Sequence, residues 1–396
     1  MPREFESQEK FEEWVDAWCD KQSIEVNCTF AARNAAFVLP NIFGGRPEDL
    51  TGYSFDLILL RATLIPLVRG VYTTNGIKFS ARSAALSARS ARSAAAARSA
   101  RSAAAAALSA RSAADSAAAR SARSAARSAT LSAARSATLS AAARSAHSAS
   151  FDLAASLEAF GISGISTRPL WGTIERPDAI KANWEGLRAE WQSDPSMTFW
   201  VDWYDGLLTS RVPDWELWHE IALIEDQFWE DGPKAVAEEI EKIKNARSLE
   251  GKIEALEAEL LRLASEPIFE GNAHNGGPPL EDHSRRLETI QLIRAQLDIL
   301  KEEVAKRHSE DETPDPEIIE SVVTKIVALI KKHFIIAGAA AFFATGVATK
   351  ITEDAIDHYR VSETIFQTVD DVAEAATRYI QSLRTSSSKG RNDYHP

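Results

Sequence analysis

Apolar side chains recur three and four residues apart through most of the chain, which is the spacing of one face of an α-helix. Near the N-terminus this spacing predicts three helices, over residues 4–20, 23–39 and 57–71. Pro66 falls inside the third, so we expect that helix to be broken or kinked there. A short buried strand at 57–60 is the alternative for its first turn.

Residues 81–150 form a tract of 33 Ala, 18 Ser and 11 Arg, and every Arg opens the tripeptide Arg-Ser-Ala. Its serines recur about every 3.6 residues, and no Gly or Pro interrupts it before Gly161, so the pattern predicts one long helix or a helical hairpin. A turn near Asp115-Ser116 would make the hairpin. A solvated low-complexity helix and a basic rod that binds nucleic acid are further interpretations of the tract.

The densest aromatic pattern lies between Gly161 and Gly232, which enclose eight of the ten tryptophans. Three runs of aromatic residues have helical spacing, and each follows residues that commonly start a helix. These are Asp178, Asp194-Pro195 and Pro213-Asp214. A compact helical module with these rings as its core is the simplest interpretation, because each indole buries a large apolar area. An aromatic groove that binds a peptide or a cationic ligand is the alternative.

This module contains the segments 200–208, 214–217 and 229–233, which read WVDWYDGLL, DWEL and WEDGP. In these segments the chain resembles a group of uncharacterised bacterial proteins, in which an Ala-rich helical tract precedes a Trp-rich module. The likeness covers residues 10–243. The resemblance implies no activity, cofactor or site residue, because none is attached to that group.

Two segments further on alternate spacings of three and four residues between apolar positions, as a heptad repeat does. Their apolar positions are Leu249, Ile253, Leu256, Leu260 and Leu263, then Ile290, Ile293, Leu297, Leu300 and Val304. A Gly/Pro-rich loop at 270–280 joins the two segments. The pattern predicts an antiparallel helical hairpin over 248–308, with an oligomeric coiled coil as the alternative.

The C-terminal part begins after an acidic linker at 309–317 and contains the most apolar segment of the chain. An amphipathic helix is predicted over 318–330, and 333–349 then hold no Asp, Glu, Lys or Arg. A bilayer span needs about 20 apolar residues, so the second segment predicts either a membrane span or a buried helix. We expect a last amphipathic helix over 353–383 and a disordered tail from 385 to 396.

Charge and cysteine content narrow the function classes. The chain carries a net charge of −12, which makes nucleic acid an unlikely partner for the whole protein. The tract at 81–150 carries a charge of +10, so the other 326 residues carry −22. The simplest interpretation is that the arginines of the tract bind acidic residues of the same chain. Only Cys19 and Cys28 occur, and the N-terminus lacks a signal-peptide pattern. We expect a cytoplasmic protein, or one associated with a membrane through 333–349.

Motifs that carry chemistry are absent from the sequence. The loop 271–277 spaces two glycines as a phosphate-binding loop does, but Gly277-Pro278 stand where Lys-Ser/Thr should follow. His219-Glu220 lacks the second His of a zinc-protease motif. Two His and two carboxylates could meet around a metal, although such clusters in polar loops are usually solvated: His274, Glu281, Asp282 and His283. The sequence therefore predicts no catalytic, cofactor-binding or metal-ligating residue.

These patterns together predict an all-α protein. Its parts are a helical cap at 1–79, the Ala/Ser/Arg-rich helix or hairpin at 80–160, the Trp-rich module at 161–247, the heptad hairpin at 248–308, the linker at 309–317, a hydrophobic helix with an amphipathic C-terminal helix at 318–384, and the tail at 385–396. We expect a non-enzymatic scaffold or interaction protein that binds another protein or a second copy of itself. The alternative is a membrane-tethered or membrane-perturbing protein that acts through 318–350. The identity of any small-molecule ligand stays open.

Overall fold

The computed structural model of the protein describes the following residues: 8–44, 54–72, 140–165, 168–172, 174–209, 211–265, 280–309, 312–344 and 353–389. Of the described residues 87% are helical and none forms a strand, which confirms the predicted all-α class. The chain divides into two compact units, Met1–Ile240 and Glu241–Pro396. Each has a hydrophobic core of its own.

Within the residues that the structure describes, unit 1 contains eight helices and the start of a ninth. They are α1 (Gln8–Cys19), α2 (Ile24–Gly44), α3 (Ser54–Val71), α4 (Ser140–Ile165), α5 (Asp178–Gln192), α6 (Thr198–Thr209), α7 (Trp215–Ala222), α8 (Asp226–Asp231) and the beginning of α9 (Pro233–Ser265). Unit 2 contains the rest of α9, then α10 (Leu280–Ala305), α11 (Pro316–Ala344) and α12 (Glu353–Lys389). Single 3₁₀ turns occur at Pro195–Met197 and Lys306–His308.

Helix α3 continues through Pro66, so the predicted break and the alternative strand at 57–60 are both wrong. A proline inside a helix costs about 3 kcal/mol, through a lost hydrogen bond and a steric clash. Nearly every side chain from Asp56 to Gly70 is buried, and packing on all sides of α3 offsets that cost. Helix α2 likewise extends beyond Pro40 to Gly44.

The helical run of α4 is interrupted at Gly161, whose φ of 65° and ψ of −173° are not helical. Glycine adopts such a positive φ without the steric cost that a side chain would bring. The predicted helix end at this glycine is therefore confirmed. Residues 73–139, which include most of the Ala/Ser/Arg tract, lie outside the described residues, so the long helix or hairpin stays a prediction.

The two heptad segments face one another in the core of unit 2. All ten of their apolar positions are buried there. Arg307 donates to Glu250, and Lys301 pairs with Glu257, so residue numbers rise on α10 as they fall on α9. This register makes the two helices an antiparallel hairpin, as the spacing predicts.

Helices α11 and α12 join the same core, although the sequence set residues 318–384 apart behind the linker at 309–317. Their inward side chains include Ile319, Ile326 and Tyr379, all buried against the hairpin. The linker turns tightly, because the backbone N–H of Asp315 donates to Glu303 Oε1 at 2.5 Å. The spacing of apolar residues along one helix does not reveal which other helix covers them, so sequence alone did not join the two pairs.

The segment predicted to be a membrane span or a buried helix continues α11 as far as Ala344. Residues 345–349 lie outside the described residues. Among the helices that the structure describes, none is long and apolar enough to cross a membrane. Helix α12 runs through Thr385, where the predicted tail begins, to Lys389, and residues 390–396 lie outside the described part.

Candidate functional site

The tryptophans of residues 161–232 lie in the core of unit 1. Seven of the eight rings are buried, namely Trp171, Trp184, Trp191, Trp200, Trp203, Trp218 and Trp229. Trp215 is half-buried. The prediction that these rings form a core is confirmed, and the alternative of an open aromatic groove is wrong for the seven buried rings.

Polar atoms of these aromatic residues bind groups inside the same unit. Trp191 Nε1 donates to Asp56 Oδ2 at 3.2 Å, and Trp184 Nε1 donates to Asp205 Oδ1 at 3.0 Å. The Tyr204 hydroxyl donates to a backbone carbonyl of α2 at 3.1 Å, and burial raises the pKa of that hydroxyl. These bonds satisfy groups whose desolvation would otherwise destabilise the fold.

Helices α7 and α8 are fixed on the tryptophan core at defined points. Trp218 of α7 lies 6.1 Å from Trp203, and Trp229 of α8 lies 6.1 Å from Trp200, measured between ring centroids. Asp226 of α8 accepts a hydrogen bond of 2.6 Å from the buried Arg61. The Arg61 guanidinium also lies 4.7 Å above the Trp229 ring, and burial lowers its pKa.

Capping residues set the ends of these two short helices. Asp214 accepts a hydrogen bond from the backbone N–H of Leu217 at 2.9 Å, which caps α7 as the sequence predicts. Gly232 ends α8 with a φ of 99°, and Pro233 starts α9. These two residues define the start of α7 and the end of α8.

The outer side of α7 and α8 is strongly acidic. Residues 212–233 contain seven carboxylates and no Lys or Arg. Asp214 and Asp226 have the structural roles described above, and Glu220 is half-buried. The other four carboxylates are exposed: Glu216, Glu225, Glu230 and Asp231. We call these four residues, together with Val212, Trp215 and Leu223, the acidic surface.

Apolar side chains are interspersed with these carboxylates. Val212 is 71% exposed and Leu223 is 39% exposed, while Trp215 packs edge-on against Trp218 at 5.0 Å. A surface that combines carboxylates with an aromatic ring and aliphatic groups offers both charge and apolar area to a cationic partner.

A small pocket, with room for about one water molecule, lies between α2, α4 and the loop after α4. Its lining includes the guanidinium groups of Arg33 and Arg168, the carboxylate of Asp152 and the hydroxyl of Ser156. Arg33 Nη2 donates to the carbonyls of Arg168 and Pro169 at 3.1 and 2.9 Å, and thereby holds the loop against α2. Buried guanidinium groups of this kind leave no periodic signal in a sequence, and sequence reasoning missed this one.

Of the histidine and carboxylate groups considered from the sequence, the structure describes the side chains of His219 and Glu220 alone. The His219 ring contacts the Tyr72 ring at 4.6 Å between centroids. His274 lies outside the described residues, and the side chains of 281–283 are not described either. Within the described part of the chain, no group of three His, Cys, Asp or Glu is placed to hold a metal ion.

Comparison with known proteins gives no relative. No protein-family model, curated protein or solved structure matches the chain.

Proposed function

We propose that this is a non-enzymatic helical interaction protein, whose acidic surface on α7 and α8 binds a cationic, arginine-rich segment of a partner protein. The observation that carries the proposal is the presence of seven carboxylates and no Lys or Arg between Val212 and Pro233. Four of them are exposed, and so are the apolar side chains of Val212 and Leu223. Such a surface attracts a cationic segment by its field and retains it by apolar contact.

Rigidity of the acidic surface supports binding. Its two helices are anchored by Trp218, Trp229 and the Arg61–Asp226 ion pair, so little conformational entropy is lost when a partner binds. Carboxylates on a preorganised scaffold also retain repulsion toward each other in the free protein. A cationic partner relieves that repulsion, which favours the complex further.

Arginine suits this surface better than lysine does. The guanidinium group binds carboxylates through two parallel hydrogen bonds and stacks on aromatic rings such as Trp215. The same negative field repels nucleic acid and anionic lipid. We place this activity in the cytoplasm, since Cys19 and Cys28 are buried and form no disulfide among the described residues, as is typical of proteins from a reducing compartment.

The test is calorimetric titration of the full-length protein with a synthetic peptide of consecutive Arg-Ser-Ala repeats. We expect saturable binding that weakens at least tenfold when the salt concentration is raised from about 0.05 M to about 0.5 M, because salt screens exposed charges. Neutralising the four exposed carboxylates should abolish it: Glu216→Gln, Glu225→Gln, Glu230→Gln and Asp231→Asn.

A matched control neutralises four exposed carboxylates of unit 2: Glu254→Gln, Glu288→Gln, Asp298→Asn and Glu302→Gln. It changes the net charge of the protein by the same amount and leaves the acidic surface intact. Equal weakening in both variants would mean that net charge alone attracts the peptide. Unchanged binding in the first variant would disprove the proposed site.

A further inference from the structure

The chain approaches the Ala/Ser/Arg tract from a point next to the acidic surface. Helix α3 ends at Val71, and the ring of the next residue, Tyr72, lies 4.6 Å from the ring of His219 of α7, measured between centroids. Further back on α3, Arg61 pairs with Asp226 of α8. Helix α3 therefore contacts both helices of the acidic surface, and the chain continues toward the tract from beside α7.

The contact with His219 shows which side of α7 the chain starts from. Residues three and four positions apart lie on one face of a helix, so Glu216 and Leu223 share the face of His219. Both belong to the acidic surface, and both are exposed. Tyr72 therefore contacts the face of α7 that carries part of the acidic surface.

The arginines of the tract begin within reach of that face. Arg82 follows Tyr72 by ten residues, which span up to about 35 Å when extended. Glu216 and Leu223 are separated by only about 10 Å along α7. Residues 82–135 contain ten arginines and a single carboxylate. A short tether of this kind gives the tethered group an effective concentration on the order of millimolar.

Charge distinguishes the acidic surface from the other acidic helices of the protein. Residues 212–233 contain seven carboxylates and no Lys or Arg. On α9, in contrast, acidic and basic residues alternate, and some form ion pairs within the helix, as in Glu241–Lys244 and Glu259–Arg262. Such carboxylates attract a cationic segment less, because a base of the same helix already neutralises them. The acidic surface therefore complements the tract better than these mixed helices do.

We infer that the Ala/Ser/Arg tract binds the acidic surface of its own molecule, and competes there with the arginine-rich segment of a partner. The inference rests on the proposed function, since both segments use the same carboxylates. The tract is tethered beside α7, so it loses less translational and rotational freedom on binding than a free segment does. A partner segment must then be richer in arginine than the tract in order to displace it.

The test compares the natural protein with a variant in which the ten arginines of 82–135 are replaced by glutamine. Glutamine has nearly the helix propensity of arginine, so the replacements change mainly the charge. Both full-length proteins are titrated calorimetrically with the synthetic peptide of Arg-Ser-Ala repeats. We expect the variant to bind the peptide at least about threefold more tightly, because no tethered arginine competes for the surface.

The loss of ten positive charges also makes the whole protein more attractive to a cationic peptide. The control therefore combines the glutamine replacements with neutralisation of the acidic surface: Glu216→Gln, Glu225→Gln, Glu230→Gln and Asp231→Asn. Relative to the protein with only the acidic surface neutralised, this combined variant should show no gain in affinity. A gain that persists would show that net charge attracts the peptide, and would overturn the inference.

The remaining outcomes separate the two proposals. Equal affinity of the natural protein and the glutamine variant would overturn this inference and leave the proposed function standing, whereas no binding by either protein would overturn both. Sedimentation velocity shows which copy supplies the tract, and we expect the same oligomeric state for both proteins. A natural dimer that dissociates in the glutamine variant would mean that the tract binds a second copy, and would overturn binding within one molecule.

Discussion

At the scale of single residues, buried indole N–H groups differ in whether they have a partner. Trp191 donates to the carboxylate of Asp56, a residue with no exposed area. Trp203, which is equally buried, has an indole nitrogen without a hydrogen-bond partner among the described residues. Comparing these two tryptophans therefore separates the contribution of the hydrogen bond to stability from the contribution of the buried ring.

Replacing each of the two tryptophans by phenylalanine tests this difference. Both substitutions remove the same ring atoms, but only Trp191→Phe leaves a buried carboxylate short of a donor. We expect Trp191→Phe to lower the free energy of unfolding by about 1–3 kcal/mol more than Trp203→Phe does. Denaturant unfolding followed by tryptophan fluorescence measures both. Equal losses would mean that the Trp191–Asp56 hydrogen bond contributes nothing net.

Cys28 makes the stability of the protein depend on alkaline pH. Burial raises the pKa of its thiol to about 12, while nearby Arg69 lowers that pKa and Glu25 raises it by smaller amounts. The unfolded chain therefore loses the thiol proton at a lower pH than the folded chain does. Deprotonation then favours the unfolded state, so stability falls as the pH rises from the ordinary thiol pKa toward 12.

The variant Cys28→Ala lacks this dependence. Between about pH 8 and about pH 10, we expect the free energy of unfolding of the natural protein to fall by about 1–2 kcal/mol more than that of Cys28→Ala. Urea unfolding at the two pH values gives the difference. Parallel pH profiles would show that the Cys28 thiol is not shielded in the folded state.

At the scale of elements, helix ends are predicted best from the sequence where a residue type has only one role at a helix terminus. The cap at Asp214 and the stop at Gly232 are as predicted. Asp178, in contrast, was expected to cap α5, but Pro177 occupies the cap position and Asp178 is the first helical residue. Both positions suit an Asp near a helix N-terminus, so residue type alone does not separate them.

The heptad seam makes a further prediction within one helix. Leu297 of α10 faces the core of unit 2 and is fully buried, whereas Leu292 of the same helix is 54% exposed. We expect Leu297→Ala to cost about 2–5 kcal/mol, through lost apolar burial and the cavity that is left. Leu292→Ala should change stability by less than about 1 kcal/mol. Thermal unfolding followed by ellipticity compares them, and similar costs would contradict the predicted orientation of α10.

At the scale of the whole molecule, the negative charge of the acidic surface was the feature that the sequence could predict. The net charge of −22 outside the Ala/Ser/Arg tract predicts an acidic surface. Its position on α7 and α8 depends on which carboxylates already cap a helix or form an ion pair, as Asp214 and Asp226 do. The pocket at Arg33 had no such signal, because it joins α2 to residues more than a hundred positions away. Contacts at that separation come from tertiary packing and not from local pattern.

All ten tryptophans lie in unit 1, between Trp14 and Trp229. Tryptophan fluorescence therefore reports on that unit, while far-ultraviolet ellipticity reports on both. Because each unit has its own core, we expect Leu297→Ala to lower the midpoint of an ellipticity transition and leave the fluorescence midpoint unchanged. Equal shifts of both signals would show that the two units unfold together.

Hydrogen exchange of the full-length protein, with and without the Arg-Ser-Ala peptide, is the most direct measurement of the proposed interaction. A bound partner covers backbone N–H groups and slows local opening, so its position is read from the segments that exchange more slowly. We predict slower exchange in residues 212–233, and no such change there in the variant with the four carboxylates of the acidic surface neutralised. Slower exchange confined to other segments, with 212–233 unaffected, would contradict the assignment of the interaction to this surface.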